Sequence, residues 1–105
     1  MKIYFYTLSN YDEDFFLKQC ERFKNHPILK GMTMDRHGIV TDVDGSQIAV
    51  FYYKGQKIKL INDFEENECV VETPYNLEEL LNIKFKNHKW VHEEDDYYWK
   101  VEKDS

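Results

Sequence analysis

The residues best suited to chemistry in this 105-residue chain sit near its C-terminal end. His88 and His92 stand four apart and run straight into Glu93, Glu94, Asp95 and Asp96. On a helix, histidines at i and i+4 share one face and could chelate an ion, with neighbouring carboxylates completing the set. On a strand the same two residues lie about 13 Å apart and cannot. Trp90, Val91, Tyr97 and Tyr98 flank them and favour strand. The sequence therefore predicts no metal and no cofactor here, and reads residues 93–96 as a hydrated turn. Cys20 and Cys69 form no CxxC pair. A reactive thiolate needs an exposed, electropositive setting. Cys20 falls instead on an apolar helical stripe with Phe16 and Phe23, the pattern of a packed thiol. Two free, buried thiols in a reducing compartment are expected.

Asp42-Val43-Asp44-Gly45 resembles the opening of an EF-hand calcium loop. That loop needs a bidentate Glu at its twelfth position, where this chain has Tyr53. A hairpin turn accounts for the glycine better. The four glycines, 31, 38, 45 and 55, are isolated, so no glycine-rich phosphate loop exists, and no serine sits in a nucleophile elbow. A carboxylate pair for acid–base work could be chosen from twenty acids, so finding one carries no information. The chain is read as not an enzyme.

These side chains must be positioned by an α+β fold: an antiparallel sheet of hairpins with one main helix on one face and a short second helix. Residues 2–8 predict an interior strand, apolar on both faces. Asn10 and Glu13 form a capping-box pattern opening a helix over residues 11–25, which Pro27 stops. A short strand is expected around Met32, Thr33 and Met34. Residues 38–61 predict a three-stranded meander, divided by Asp44-Gly45 and Lys54-Gly55-Gln56. With a two-residue first loop, Thr41 faces Ile48 and Ile39 faces Val50. A three-residue second loop then pairs Tyr52 with Ile58 and Val50 with Leu60. A two-residue second loop would set Lys59 opposite Val50 on an apolar face, and the apolar pattern selects against it. The expected core face is Ile39, Val43, Ile48, Val50, Tyr52, Ile58 and Leu60. Residues 69–72 predict a further strand, Asn76 caps a helix over residues 77–81, and residues 83–85 predict a short strand. Residues 88–101 predict a hairpin in which Trp90 and Trp99 could meet.

One domain spanning residues 1–105 is the natural expectation for this length, and seventeen Phe, Trp and Tyr residues argue for a folded chain. The N-terminus lacks the pattern of a signal peptide, and no apolar run approaches the ~20 residues of a membrane helix. A soluble, cytoplasmic protein is expected. The formal net charge of −6 argues against a binder of nucleic acid, which would carry a basic patch. The charge is also uneven. Residues 62–82 contain seven acids and no Lys or Arg.

This asymmetry favours a non-enzymatic protein that presents acids to a basic protein partner, in particular an inhibitor of a basic nucleic-acid-handling protein. Short acidic chains without motifs occur among phage anti-defence (anti-CRISPR-like) proteins, nucleic-acid mimics and toxin-immunity proteins, an analogy of size and charge alone. The expected partner-binding residues are Asp63, Glu65, Glu66, Glu68, Glu93, Glu94, Asp95 and Asp96, with Tyr97, Tyr98 and Trp99 as aromatic anchors. Alternatives are a toxin-immunity protein, a small metal-dependent enzyme using His88, His92 and nearby acids, or an oligomer-forming protein that dimerises through Trp90 and Trp99. The same acids could also serve only as a solubilising surface.

Overall fold

A computed structural model describes residues 1–87, 89–93 and 99. Six strands and two helices follow in the order β1 (Lys2–Ser9), α1 (Glu13–Lys24), β2 (Thr33–Thr41), β3 (Gln47–Tyr53), β4 (Gln56–Asp63), β5 (Glu68–Thr73), α2 (Leu77–Leu81) and β6 (Lys89–Glu93). The strands form one antiparallel sheet in the order β2-β3-β4-β5-β1-β6. β1 thus lies inside the sheet, as its two apolar faces predict. Tyr6 joins the core shared with the helices, while Ile3 and Phe5 pack with Trp99 on the opposite side.

The main core unites Phe16, Cys20 and Phe23 of α1 with Ala49, Phe51, Tyr53, Ile58 and Leu60 of the meander. This corrects the expected meander register. Thr41 pairs with Gln47 and Ile39 with Ala49, so the first loop has three residues, Val43, Asp44 and Gly45. Asp42 N–H donates to the Ser46 carbonyl (2.7 Å) and Gly45 N–H to the Asp42 carbonyl (3.1 Å). Gly45 takes φ +94, the glycine position of a type I turn closed by a bulge. The second loop has two residues: Tyr53 pairs with Gln56, and Lys54 and Gly55 adopt φ +47 and +80, as a type I′ turn requires. Both loop lengths are therefore the reverse of those expected. Ile48, Val50 and Tyr52 lie only half-buried on the far side of the sheet, and Val43 is fully exposed.

The reason is that β3 is apolar on both faces, so alternation cannot say which face is the core. The objection to placing Lys59 opposite Val50 also falls away. That pairing exists, and the Lys59 ammonium lies 4.4 Å from the centre of the Trp99 ring, a cation–π contact that lets a lysine sit on an apolar surface.

Smaller differences have local causes. Asp12, not Asn10, caps α1. Its carboxylate accepts from Phe15 N–H (2.9 Å), because residues 10–12 are still tied to the β4–β5 region by Tyr11 N–H to Asn67 Oδ1 and Asp12 N–H to Asn62 Oδ1. Met34 belongs to the long β2, whose register shifts between Met34 and Ile39. Residues 83–85 form no strand. Phe85 stacks on Tyr6 (4.5 Å) and gives its N–H to the Glu78 carboxylate, a side-chain acceptor in place of a ladder. α2 is capped by Asn76 as expected, through Glu79 N–H. In the tail, β6 pairs with β1, and Trp90 stacks on Phe5 at 4.1 Å. Of the turn expected at residues 93–96, Glu93 instead ends β6; residues 94–96 and the second arm of the expected hairpin lie outside the described residues except for Trp99.

Three buried weak acids make the fold sensitive to alkali. Burial pushes the Tyr6 hydroxyl from 10.0 up to about 12, where it accepts from Leu77 N–H (2.9 Å). Burial likewise lifts the thiols of Cys20 and Cys69 from 9.0 to about 11 and about 12; both are free. Above pH ~9 the unfolded chain sheds these protons first, so stability is complete below that pH and declines as pH rises towards 12. Urea unfolding at stepped pH should show a flat plateau through neutrality and a fall beginning near pH 9. Undiminished stability at pH 11 would contradict this assignment.

Candidate partner-binding surface

Antiparallel connectivity brings alternate turns to the same end of a sheet. Here the β1–α1 connection, the β2–β3 turn and the β4–β5 turn converge at one end. Tyr11 joins them. Its hydroxyl lies 2.9 Å from the Gly45 carbonyl and 3.1 Å from Glu13 Oε1, and its ring meets Phe64 edge-on at 5.3 Å. Phe64 N–H donates to Ser46 Oγ (2.9 Å), and Ser46 N–H donates to Asp44 Oδ1 (2.8 Å). Beneath them Asn62 is wholly buried. Its Oδ1 accepts from Asp12 N–H (3.1 Å) and its Nδ2 donates to Gln47 Oε1 (3.1 Å). Asn62→Leu should cost about 1–3 kcal/mol, because it strands the Asp12 N–H at the helix entry and leaves Gln47 unpaired. Urea denaturation would measure the loss, and an unchanged midpoint would remove Asn62 from this role.

Nine carboxylates gather at this end: Asp12, Glu13 and Asp14; Asp42 and Asp44; Asp63, Glu65, Glu66 and Glu68. Residues 9–17, 41–53 and 60–73, which build it, contain no Lys or Arg. Between the β2–β3 and β4–β5 turns lies a groove of about 390 Å³. Val40, Ile48 and Ile61 supply its apolar lining, and Asp42, Asp44, Asp63 and Glu65 supply carboxylates. Val43 and Phe64 stand exposed beside it, Phe64 at 54 %.

The expected partner-binding residues are divided by this arrangement. Asp63, Glu65, Glu66 and Glu68 belong to the acidic end, with Asp63 paired to Glu68. Glu93 does not. It pairs with Lys2 at the other end of β1, whereas Ser9 pairs with Cys69 near the acidic end. Seven strand steps of roughly 3.3 Å put the two about 23 Å apart. Glu93 also lies 3.1 Å from the Met1 ammonium. Glu94, Asp95, Asp96, Tyr97 and Tyr98 lie outside the described residues. Trp99 is corrected as an anchor. It is 1 % exposed, packed with Ile3 and Phe5, and so offers a partner no surface.

Sequence reasoning missed Asp12, Asp14, Asp42 and Asp44 as members of the surface. It placed Asp42 and Asp44 in a hairpin turn and Asp12 and Asp14 within the first helix, with nothing to bring the two together. The available signal was topological, since a meander returns every second turn to the same edge.

The other candidates for chemistry occupy quieter positions. His92 lies on β6 opposite Ile3, its ring against Phe5 (4.6 Å) and Trp90 (5.0 Å); His88 is outside the described residues. Among the described residues, no group of three or more His, Cys, Asp or Glu is placed to hold a metal ion. Cys20 is 4 % exposed with its thiol raised to about 11, the opposite of thiolate activation. No helix among the described residues is long and apolar enough to cross a membrane.

No family model matches the chain, and no curated protein or solved structure shows significant similarity to it.

Proposed function

We propose that this chain is a non-enzymatic binding protein whose acidic sheet end receives a basic surface of another protein, acting in the cytoplasm as an inhibitor of a nucleic-acid-handling partner. The observation that carries the reading is the groove between the two turns, where Asp42, Asp44, Asp63 and Glu65 meet Val40, Ile48 and Ile61. A Lys or Arg side chain has a matching division, an aliphatic stem and a charged head. Carboxylates above an apolar floor suit both parts at once, which a purely solubilising coat of acids does not require. Exposed Phe64 and Val43 beside the groove add apolar contact area.

Relative to the sequence reading, the proposed surface keeps Asp63, Glu65, Glu66 and Glu68, gains Asp42 and Asp44, and drops Glu93 and Trp99. The test begins with capture of the partner from host extract by the immobilised chain, followed by purification of that partner. Its association rate should fall steeply as salt rises, because exposed charges beyond a Debye length are screened. Inhibition of the partner's nucleic-acid binding should follow the same salt dependence. Association that ignores salt would sink the reading.

A further inference from the structure

A second cavity, of about 210 Å³, lies between α1 and the segment around and after α2. Phe15 and Phe23 of α1 face it from one side, and Leu81 and Phe85 from the other. Two polar residues of α1, Gln19 and Arg22, also line it. Gln19 is 8 % exposed. Its Oε1 receives a long contact from the Arg22 guanidinium (3.5 Å). Arg22 has no ion-pair partner among the described residues, although the chain holds twenty acids. Among the described residues, no carboxylate lines the cavity. His26 also lines it and accepts from Ile28 N–H through Nδ1 (3.2 Å).

We propose that this cavity is a binding site for a small apolar carboxylate, with an aromatic or branched aliphatic body. The argument is one of complementarity. Aromatic and aliphatic walls suit an apolar body, and a cavity of roughly 150 Å³ already admits a benzene ring. The cavity here leaves room for a ring and one short acidic arm. A guanidinium fork presents paired donors to a carboxylate, and the side-chain amide of Gln19, which lines the same cavity, supplies another. On a chain of net charge −6, an Arg beside an apolar cavity, with no carboxylate against it among the described residues, selects an anionic ligand over a neutral or cationic one of the same shape.

The site is independent of the acidic end and can be tested without a partner. The full chain, labelled with nitrogen-15, is titrated separately with phenylacetate and with its neutral isostere phenylacetamide. Phenylacetate should give saturable shifts in the amides of residues 19–26 and 81–85, with about fivefold tighter binding than the amide, the scale of one partly solvated ion pair. Arg22 is exposed, so Arg22→Gln should keep the native spectrum and erase the preference for the acid. Any one of three results overturns the proposal: no saturable shift with phenylacetate, equal affinity for the two probes, or an acid preference that survives in R22Q.

Discussion

Phe51→Asp is expected to unfold the protein, and Val50→Asp, one position earlier, to leave it folded. Phe51 is fully buried, opposite Ile58 and within 6.5 Å of the Phe23 ring of α1. Removing such a side chain costs about 3–5 kcal/mol, and the substitution adds an unpaired carboxylate to an apolar layer. Together these exceed or consume the roughly 5–15 kcal/mol that a domain of this kind has in total. Val50 lies half-exposed on the other face, opposite Lys59. An aspartate there keeps access to water and gains a neighbouring ammonium, so its cost should stay near 1–2 kcal/mol, within the ordinary range for point substitutions. Circular dichroism and urea unfolding of the two variants read the outcome. The expected meander register places Val50 in the core, so it makes the opposite prediction. A Val50→Asp variant that unfolds while Phe51→Asp folds would overturn the register described above.

The largest effect on binding is expected from the triple reversal Asp42→Lys, Asp63→Lys and Glu65→Lys. Each residue lines the groove, and like charges set against a basic partner cost binding energy as well as the attraction they replace. Affinity at low salt should fall on the order of 30-fold or more, and the gap to the parent should narrow as salt screens both. Asp44 is left in place because its carboxylate receives Ser46 N–H and supports the turn. Glu93→Lys serves as the control. It lies at the far end of β1 beside the Met1 ammonium, so it should change affinity little. Surface plasmon resonance on the purified partner would measure both. Equal affinity for the parent and the triple variant would reduce the acidic end to a solubilising coat. A larger loss from Glu93→Lys would move the interface to the tail.

Local features were legible in the residues. The interior position of β1 followed from apolar side chains on both faces of residues 2–8. The buried helix stripe of Phe16, Cys20 and Phe23 followed from spacing. The span and cap of α2 followed from Asn76 standing just before Leu77, Leu80 and Leu81. Each is set within a few residues, by side-chain periodicity or by a side-chain oxygen meeting a nearby N–H.

The meander was legible as three strands and two turns, but not in register. Ile48, Val50 and Tyr52 alternate with Ala49, Phe51 and Tyr53, so either set could form a core face. The choice belongs to what packs on each side of the sheet: Phe16, Cys20 and Phe23 on one, and on the other Trp99, which lies forty residues in sequence from the Lys59 it shelters.

The candidate surface divides the same way. Sequence by itself determined that the chain is acidic, that residues 62–82 lack a base, and that turns interrupt the strands. Only the tertiary structure decided that Asp12, Asp42 and Asp63 share one end while Glu93 stands at the other. Charge is a property of residues, but a surface is a property of sheet topology, in which antiparallel strands send consecutive turns to opposite ends and alternate turns to the same end, and so sort neighbours in sequence into separate surfaces.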